Sequence, residues 1–186
     1  MKLKLESDRP ADYLGAIPPV IEWATPVVKE QVERMMASAP SDLERARLAF
    51  ELARDQVAHS FDTGHGVVSI SAADALRNGE GICFAKSHVL ASLLRGMGIP
   101  CGFCYQRVLR KGTVESGWFR VDPRGNKPGV DSRFTTDVEH LAYPIRPELG
   151  EVDYPNVFIA PLPAVIQAME DAKDCHELFW SRPVQL

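Results

Sequence analysis

The chain has 186 residues, 45% of them apolar, enough for one domain around one core. Its net charge of −4 and pI near 5.7 offer no basic surface for nucleic acid or an anionic membrane, and no run reaches the roughly 18 apolar residues of a membrane span. The four cysteines are too few for a secreted disulfide framework, and Met1-Lys2-Leu3-Lys4-Leu5 lacks the apolar stretch of a signal peptide, so reduced thiols in the cytoplasm are expected.

Residues 2–6 alternate charged and apolar side chains, like a short strand at a sheet edge. Pro18, Pro19 and Pro26 interrupt the next stretch, after which a helix is expected through about Ala37. Ser41-Asp42-Leu43-Glu44 reads as a capping box, the Ser41 hydroxyl accepting from the Glu44 amide and the Glu44 carboxylate reaching back. Leu43, Ala46, Phe50, Ala53 and Val57 share one face of the helix it opens. A second cap, Ser71 to Asp74, opens a short helix ending near Asn78-Gly79. The next helix is expected from about Ile82 to Arg95, apolar at Ala85, Val89, Leu90, Leu93 and Leu94 and ended by Gly96 and Gly98. Extended segments are expected at 102–109 and 117–122, followed by a loop over 123–137 with turn signals at Pro123-Arg124-Gly125-Asn126 and Pro128-Gly129. Pro161 and Pro163 suit the first turn of a last amphipathic helix running to about His176. Helices first, then strands around one helix, describe an α+β fold. It forms a single domain over 1–186, with its core at about 41–137 and a C-terminal helical extension at about 138–186.

Chemistry points to Cys83, which sits at a helix start just after Gly79-Glu80-Gly81. A thiol there faces unpaired amides and the positive end of the helix dipole, which lowers its pKa and raises its nucleophilicity. The flanking glycines leave room for a substrate carbonyl, and the Cys83 backbone amide is a candidate oxyanion donor. The plain alternative is a buried cysteine acting as a small hydrophobe.

Gly81-Ile82-Cys83-Phe84-Ala85-Lys86-Ser87-His88, with Leu93-Leu94-Arg95-Gly96-Met97-Gly98-Ile99-Pro100, is similar to the nucleophile helix of the transglutaminase-like superfamily. Val121-Asp122-Pro123-Arg124-Gly125-Asn126 resembles the strand end where that family carries its orienting Asp. Ala58-His59-Ser60-Phe61-Asp62 resembles bacterial transglutaminase-like and cysteine-protease-like members. The resemblance runs from about residue 41 to the C-terminus. It implies a papain-like fold, in which the nucleophile helix packs on a small antiparallel sheet. It also implies thiol-mediated acyl transfer or amide hydrolysis, with Cys83 attacking an acyl carbon and Asp122 orienting a histidine. No metal or organic cofactor is expected, and the substrate would be a peptide, a glutaminyl side chain or a small amide.

The sequence departs from that pattern at the histidine. Between Arg107 and Trp118, where the resemblance implies a His-bearing strand, no histidine occurs, and Cys83 and Asp122 are only 39 positions apart. Without the middle strand of a meander, the third must either reverse, which would carry Asp122 to the far end of the sheet from Cys83, or reach its place through an unsupported crossing. Two explanations fit. Either the site is degenerate, leaving a catalytically silent pseudoenzyme or binding module, or a mobile His-bearing segment near Lys111-Gly112 is left out of the chain as written.

Of the other histidines, His88 lies five positions after Cys83 and roughly 140° away around the helix. His59 and His65 flank a loop that could border the cleft, and His59 is the best substitute base or cleft-wall residue. His140 and His176 read as structural, the latter at a helix end that favours a cation. Arg124 and Asn126 are candidates to support Asp122, although turn chemistry explains Asn126 equally well. Cys101-Gly102-Phe103-Cys104 is followed by an extended pattern that puts positions i and i+3 on opposite sides, and two further ligands for zinc are lacking.

Overall fold

The computed structural model describes residues 3–107 and 118–183. At its centre lies α5 (Cys83–Gly96), with α1 (Pro26–Ser38), α2 (Asp42–Asp55) and α4 (Ala72–Asn78) packed around it. A helix surrounded in this way is buried on most sides, here with Lys86, His88, Ser92 and Arg95 among its buried residues. Ala85, Val89, Leu90, Ala91, Leu93 and Leu94 are accordingly all buried. α2 begins as expected, with the Ser41 hydroxyl accepting from the Glu44 amide at 3.3 Å, but the Glu44 carboxylate returns to the hydroxyl rather than to the backbone. Leu43 is exposed: it lies in the first turn, outside the buried stripe of Ala46, Ala49, Phe50 and Ala53. The Ser71–Asp74 capping box of α4 closes in both directions.

The strands differ from the single antiparallel sheet expected beneath the nucleophile helix. Among the described residues they form three separate pairs. β1 (Lys4–Leu5) and β6 (Asn156–Val157) are parallel, as are β2 (Ala58–His59) and β3 (Glu80–Gly81). Only β4 (Gln106–Arg107) and β5 (Val152–Asp153) are antiparallel. Residues 118–122 form no strand, because side chains hold them in place of a ladder. Arg120 is fixed by Glu139 and Asp153, and the Asp122 carboxylate accepts the amides of Arg124 and Ala142. Gly117 and the interval 108–117, where the histidine strand is expected, lie outside the described residues.

Two further differences concern short helices. Residues 60–63 make one helical turn, α3 (Ser60–Thr63), in place of a loop. The last helix is two, α6 (Pro163–Asp171) and α7 (Cys175–Ser181), because Asp174 leaves the helical conformation and caps α7 by accepting the Glu177 amide at 2.8 Å. His176 therefore lies in a first turn rather than at the cation-favouring end. No helix among the described residues is long and apolar enough to cross a membrane.

Candidate active site

The position of Cys83 is set by what precedes it. β3 pairs in parallel with β2 in the register Ala58–Glu80 and His59–Gly81, which places the start of α5 beside the start of α3. Gly81 is required by contact: a Cβ there would lie 2.8 Å from the Ala85 Cβ, inside the first turn of α5. Ile82 caps the helix without a side-chain bond, so the first amides of α5 have no side-chain partner at the cap. The amide of Phe84 turns toward the Cys83 sulfur, and the Ser87 hydroxyl donates to the Cys83 carbonyl at 2.9 Å.

Asp122 is brought to the same place. Its Oδ1 accepts the Arg124 amide at 3.0 Å, its Oδ2 accepts the Ala142 amide at 3.3 Å, and its own carbonyl accepts the Ser132 hydroxyl. Cys83 and Asp122 line one cavity of about 520 Å³ between α5, residues 99–106 and residues 118–123. The carboxylate is therefore not stranded at a distant edge. Arg124 supports it through its backbone. Asn126 acts further back, its Oδ1 accepting the Ser132 amide at 2.6 Å and so tying down the turn.

The thiol does not behave as its helix position alone predicts. Although partly exposed to the cavity, Cys83 is pushed up to about 11, first by burial and then by the negative charge of Asp122. Arg182, Arg124 and the Phe84 amide pull the other way without prevailing. The first turn of a helix contributes fractions of a charge, whereas burial and a facing carboxylate act on the whole thiolate. Asp122 is itself raised by burial, against the two amides it accepts.

All five histidines lie in the described part of the chain. His59 sits at the right register, beside Gly81, but its Nδ1 accepts the Phe61 amide at 3.3 Å and so caps α3. Burial, followed by the charge of Arg124, pushes it down to about 3, so it is neutral with its lone pair already engaged. His88 lines the cavity, but its Nδ1 lies 2.7 Å from the Ile70 carbonyl and burial lowers it to about 4. His65 is bound to Glu80 and His140 to Asp131. His176 is exposed on α7. None of the five is among the groups that shift the Cys83 thiol. Between Arg107 and Trp118 the sequence holds no histidine.

Sequence reasoning missed the charges around this site. The ammonium of fully buried Lys86 donates to the carbonyls of Arg54, at 2.9 Å, and Val57, so it caps the negative end of α2. The turn at Gly125 (φ +101°) packs against it, a Cβ there lying 3.4 Å from Lys86 Nζ. Asp62 takes both arms of Arg124 and the ammonium of Lys127. The i, i+3 spacing of Cys83 and Lys86 was the one available signal, and it reads equally as an exposed lysine. Among the described residues no cluster of three or more His, Cys, Asp or Glu side chains could hold a metal ion.

No curated protein and no solved structure matches the chain. A sequence model of the transglutaminase-like superfamily matches residues 29–126, a span that runs from within α1 to the turn after Asp122 and includes both Cys83 and Asp122. With over half its length matched, and with a cysteine-led central helix whose thiol shares a cavity with an aspartate, the chain belongs to the transglutaminase-like superfamily.

Proposed function

We propose that this chain is a catalytically silent member of its family, which keeps the cleft beside Cys83 as a binding site. The observation that carries the reading is that no imidazole meets the Cys83 sulfur. A thiol near 11 has almost no thiolate at neutral pH, and acyl transfer needs a base to make one. Its neighbour Asp122 opposes deprotonation, and without a histidine it has nothing to orient.

A second reading, acyl transfer or amide hydrolysis on a peptide, glutaminyl or small amide substrate, draws on one observation. Cys83 and Asp122 line the same cavity, and the Phe84 amide is directed at the sulfur, as a papain-like site would have them.

Iodoacetamide labelling of Cys83, in a chain whose Cys101, Cys104 and Cys175 are replaced by serine, separates the two. The silent reading expects a labelling rate that inflects above about pH 9 and no burst of p-nitrophenol from p-nitrophenyl acetate. An inflection below pH 8, with a burst lost in Cys83→Ser, would establish the second reading.

A further inference from the structure

Beyond Cys83 and Asp122, the cavity has a character of its own. Phe84, Phe103, Tyr105, Trp118, Phe119 and Phe134 line it, and its volume of about 520 Å³ falls in the range of small-molecule sites, roughly 300–1,000 Å³. Its charged groups are already committed. Arg120 gives one side of its guanidinium to Glu139, at 2.6 and 2.9 Å, and the other to Asp153, at 2.7 and 2.8 Å. A carboxylate ligand would meet Asp122, and the one lysine or arginine among the described lining residues, Arg120, is already paired.

Among the described buried side chains that line the cavity, His88 keeps one ring nitrogen without a protein partner. The Ile70 carbonyl can only accept, so His88 Nδ1 carries the proton at 2.7 Å from it, and Nε2 is left as a bare acceptor on a side chain that is 1% exposed. His88 lines the cavity, held edge-on to Phe103 with the ring centroids 6.0 Å apart. A buried acceptor with no partner is costly unless something donates to it.

Resting on the reading of the cleft as a binding site, we infer that it takes an uncharged aromatic molecule bearing one N–H or O–H donor, the donor meeting His88 Nε2 and the ring lying among Phe84, Phe103 and Tyr105. The donor sets orientation and the aromatic walls supply most of the affinity, which is the division of labour usual in such pockets.

Three 2-substituted naphthalenes test this on the intact chain by isothermal titration at pH 7: 2-naphthol, 2-methoxynaphthalene and 2-naphthoate. The expected order is 2-naphthol tightest, 2-methoxynaphthalene weaker by about tenfold for the lost hydrogen bond, and 2-naphthoate weakest. His88→Leu, checked for folding by circular dichroism, should abolish the difference between the first two. Equal binding of 2-naphthol and 2-methoxynaphthalene by the wild type would overturn the inference even if the His88 variant failed to fold, and so would preference for 2-naphthoate or no binding at 1 mM. The labelling experiment decides separately whether the thiol is silent: a reactive Cys83 with intact 2-naphthol selectivity sinks the functional reading alone.

Discussion

Arg124 closes on Asp62 with both arms of its guanidinium, at 2.5 and 3.1 Å, although the two residues are 62 positions apart in sequence. This ion pair joins α3 to the turn that carries Asp122. Arg124 is 7% exposed at its side chain and Asp62 28%, so the pair is shielded on one side only.

Asp62→Asn should therefore cost about 2 kcal/mol, less than the 3–5 kcal/mol of a fully buried broken pair. Arg124 and Lys127 hold the Asp62 carboxyl well below its ordinary value. A carboxyl depressed in the folded state stabilises the fold above its unfolded pKa near 3.8, and that contribution fades as the pH falls through the folded value. Urea unfolding between pH 7 and pH 2 should show a loss below about pH 4 in the wild type that is smaller in Asp62→Asn. Equal slopes would count against the pairing.

The two charges acting on Cys83 make opposite predictions. Asp122→Asn removes the anion that helps raise the thiol, so the pH midpoint of Cys83 alkylation should move down. Arg124→Met removes an opposing cation and should move it up. Finding both shifts in the same direction would show that these substitutions act by rearranging the site rather than by charge.

Lys86 has a pH signature of its own. Burial pulls it down to about 8 from 10.5, so the unfolded chain binds more protons between those values and this residue makes stability rise with pH across that window. Cys83, raised from 9.0 to about 11, works against it, its contribution being lost as the pH climbs through that range. Comparing Cys83→Ala with the Lys86→Met, Cys83→Ala double variant isolates the lysine. Cys101 and Cys104, also raised by burial, act equally in both, so the stability advantage of Cys83→Ala over the double variant should grow between about pH 8 and 10.5. Lys86→Met should also cost about 1–3 kcal/mol at pH 7, because the Arg54 and Val57 carbonyls lose their donor.

Arg120 anchors the segment leading to Asp122. Arg120→Met would leave Glu139 and Asp153, 3% and 13% exposed at their side chains, without their shared cation, at a cost of about 3–5 kcal/mol. Unfolding of the variant by urea measures this. A loss below 1 kcal/mol would mean that the segment is held by other contacts.

How much of this was legible in the sequence depended on whether the signal was local. The capped starts at Ser41 and Ser71 and the apolar face of α5 follow from neighbours within four residues, and each stands close to where the pattern placed it. The placement of 118–122 does not, because Arg120 finds its carboxylates 19 and 33 positions away, and no periodicity encodes such a choice. The split between α6 and α7 was in principle visible, since Asp174 lies three residues before Glu177, but the apolar pattern running across it masked the cap. Cys83 and Asp122 were singled out through the family resemblance, and the two line one cavity. The balance of burial and charge at the sulfur was not legible, because Lys86, Arg124 and Arg182 reach the region from three different elements.

The hydrogen at Gly81 has a consequence for anyone wishing to alter this protein. With the Ala85 Cβ 2.8 Å from where a methyl would stand, and the side chains of Ala75 and Ser69 at 3.7 Å, the added atom has nowhere to go except against the opening turn of the central helix. Alanine there would act as a wedge, and the nearest thing it could displace is the turn that begins with the sulfur. A single carbon two positions upstream is thus a means of steering the thiol within its chamber without touching any residue that lines it.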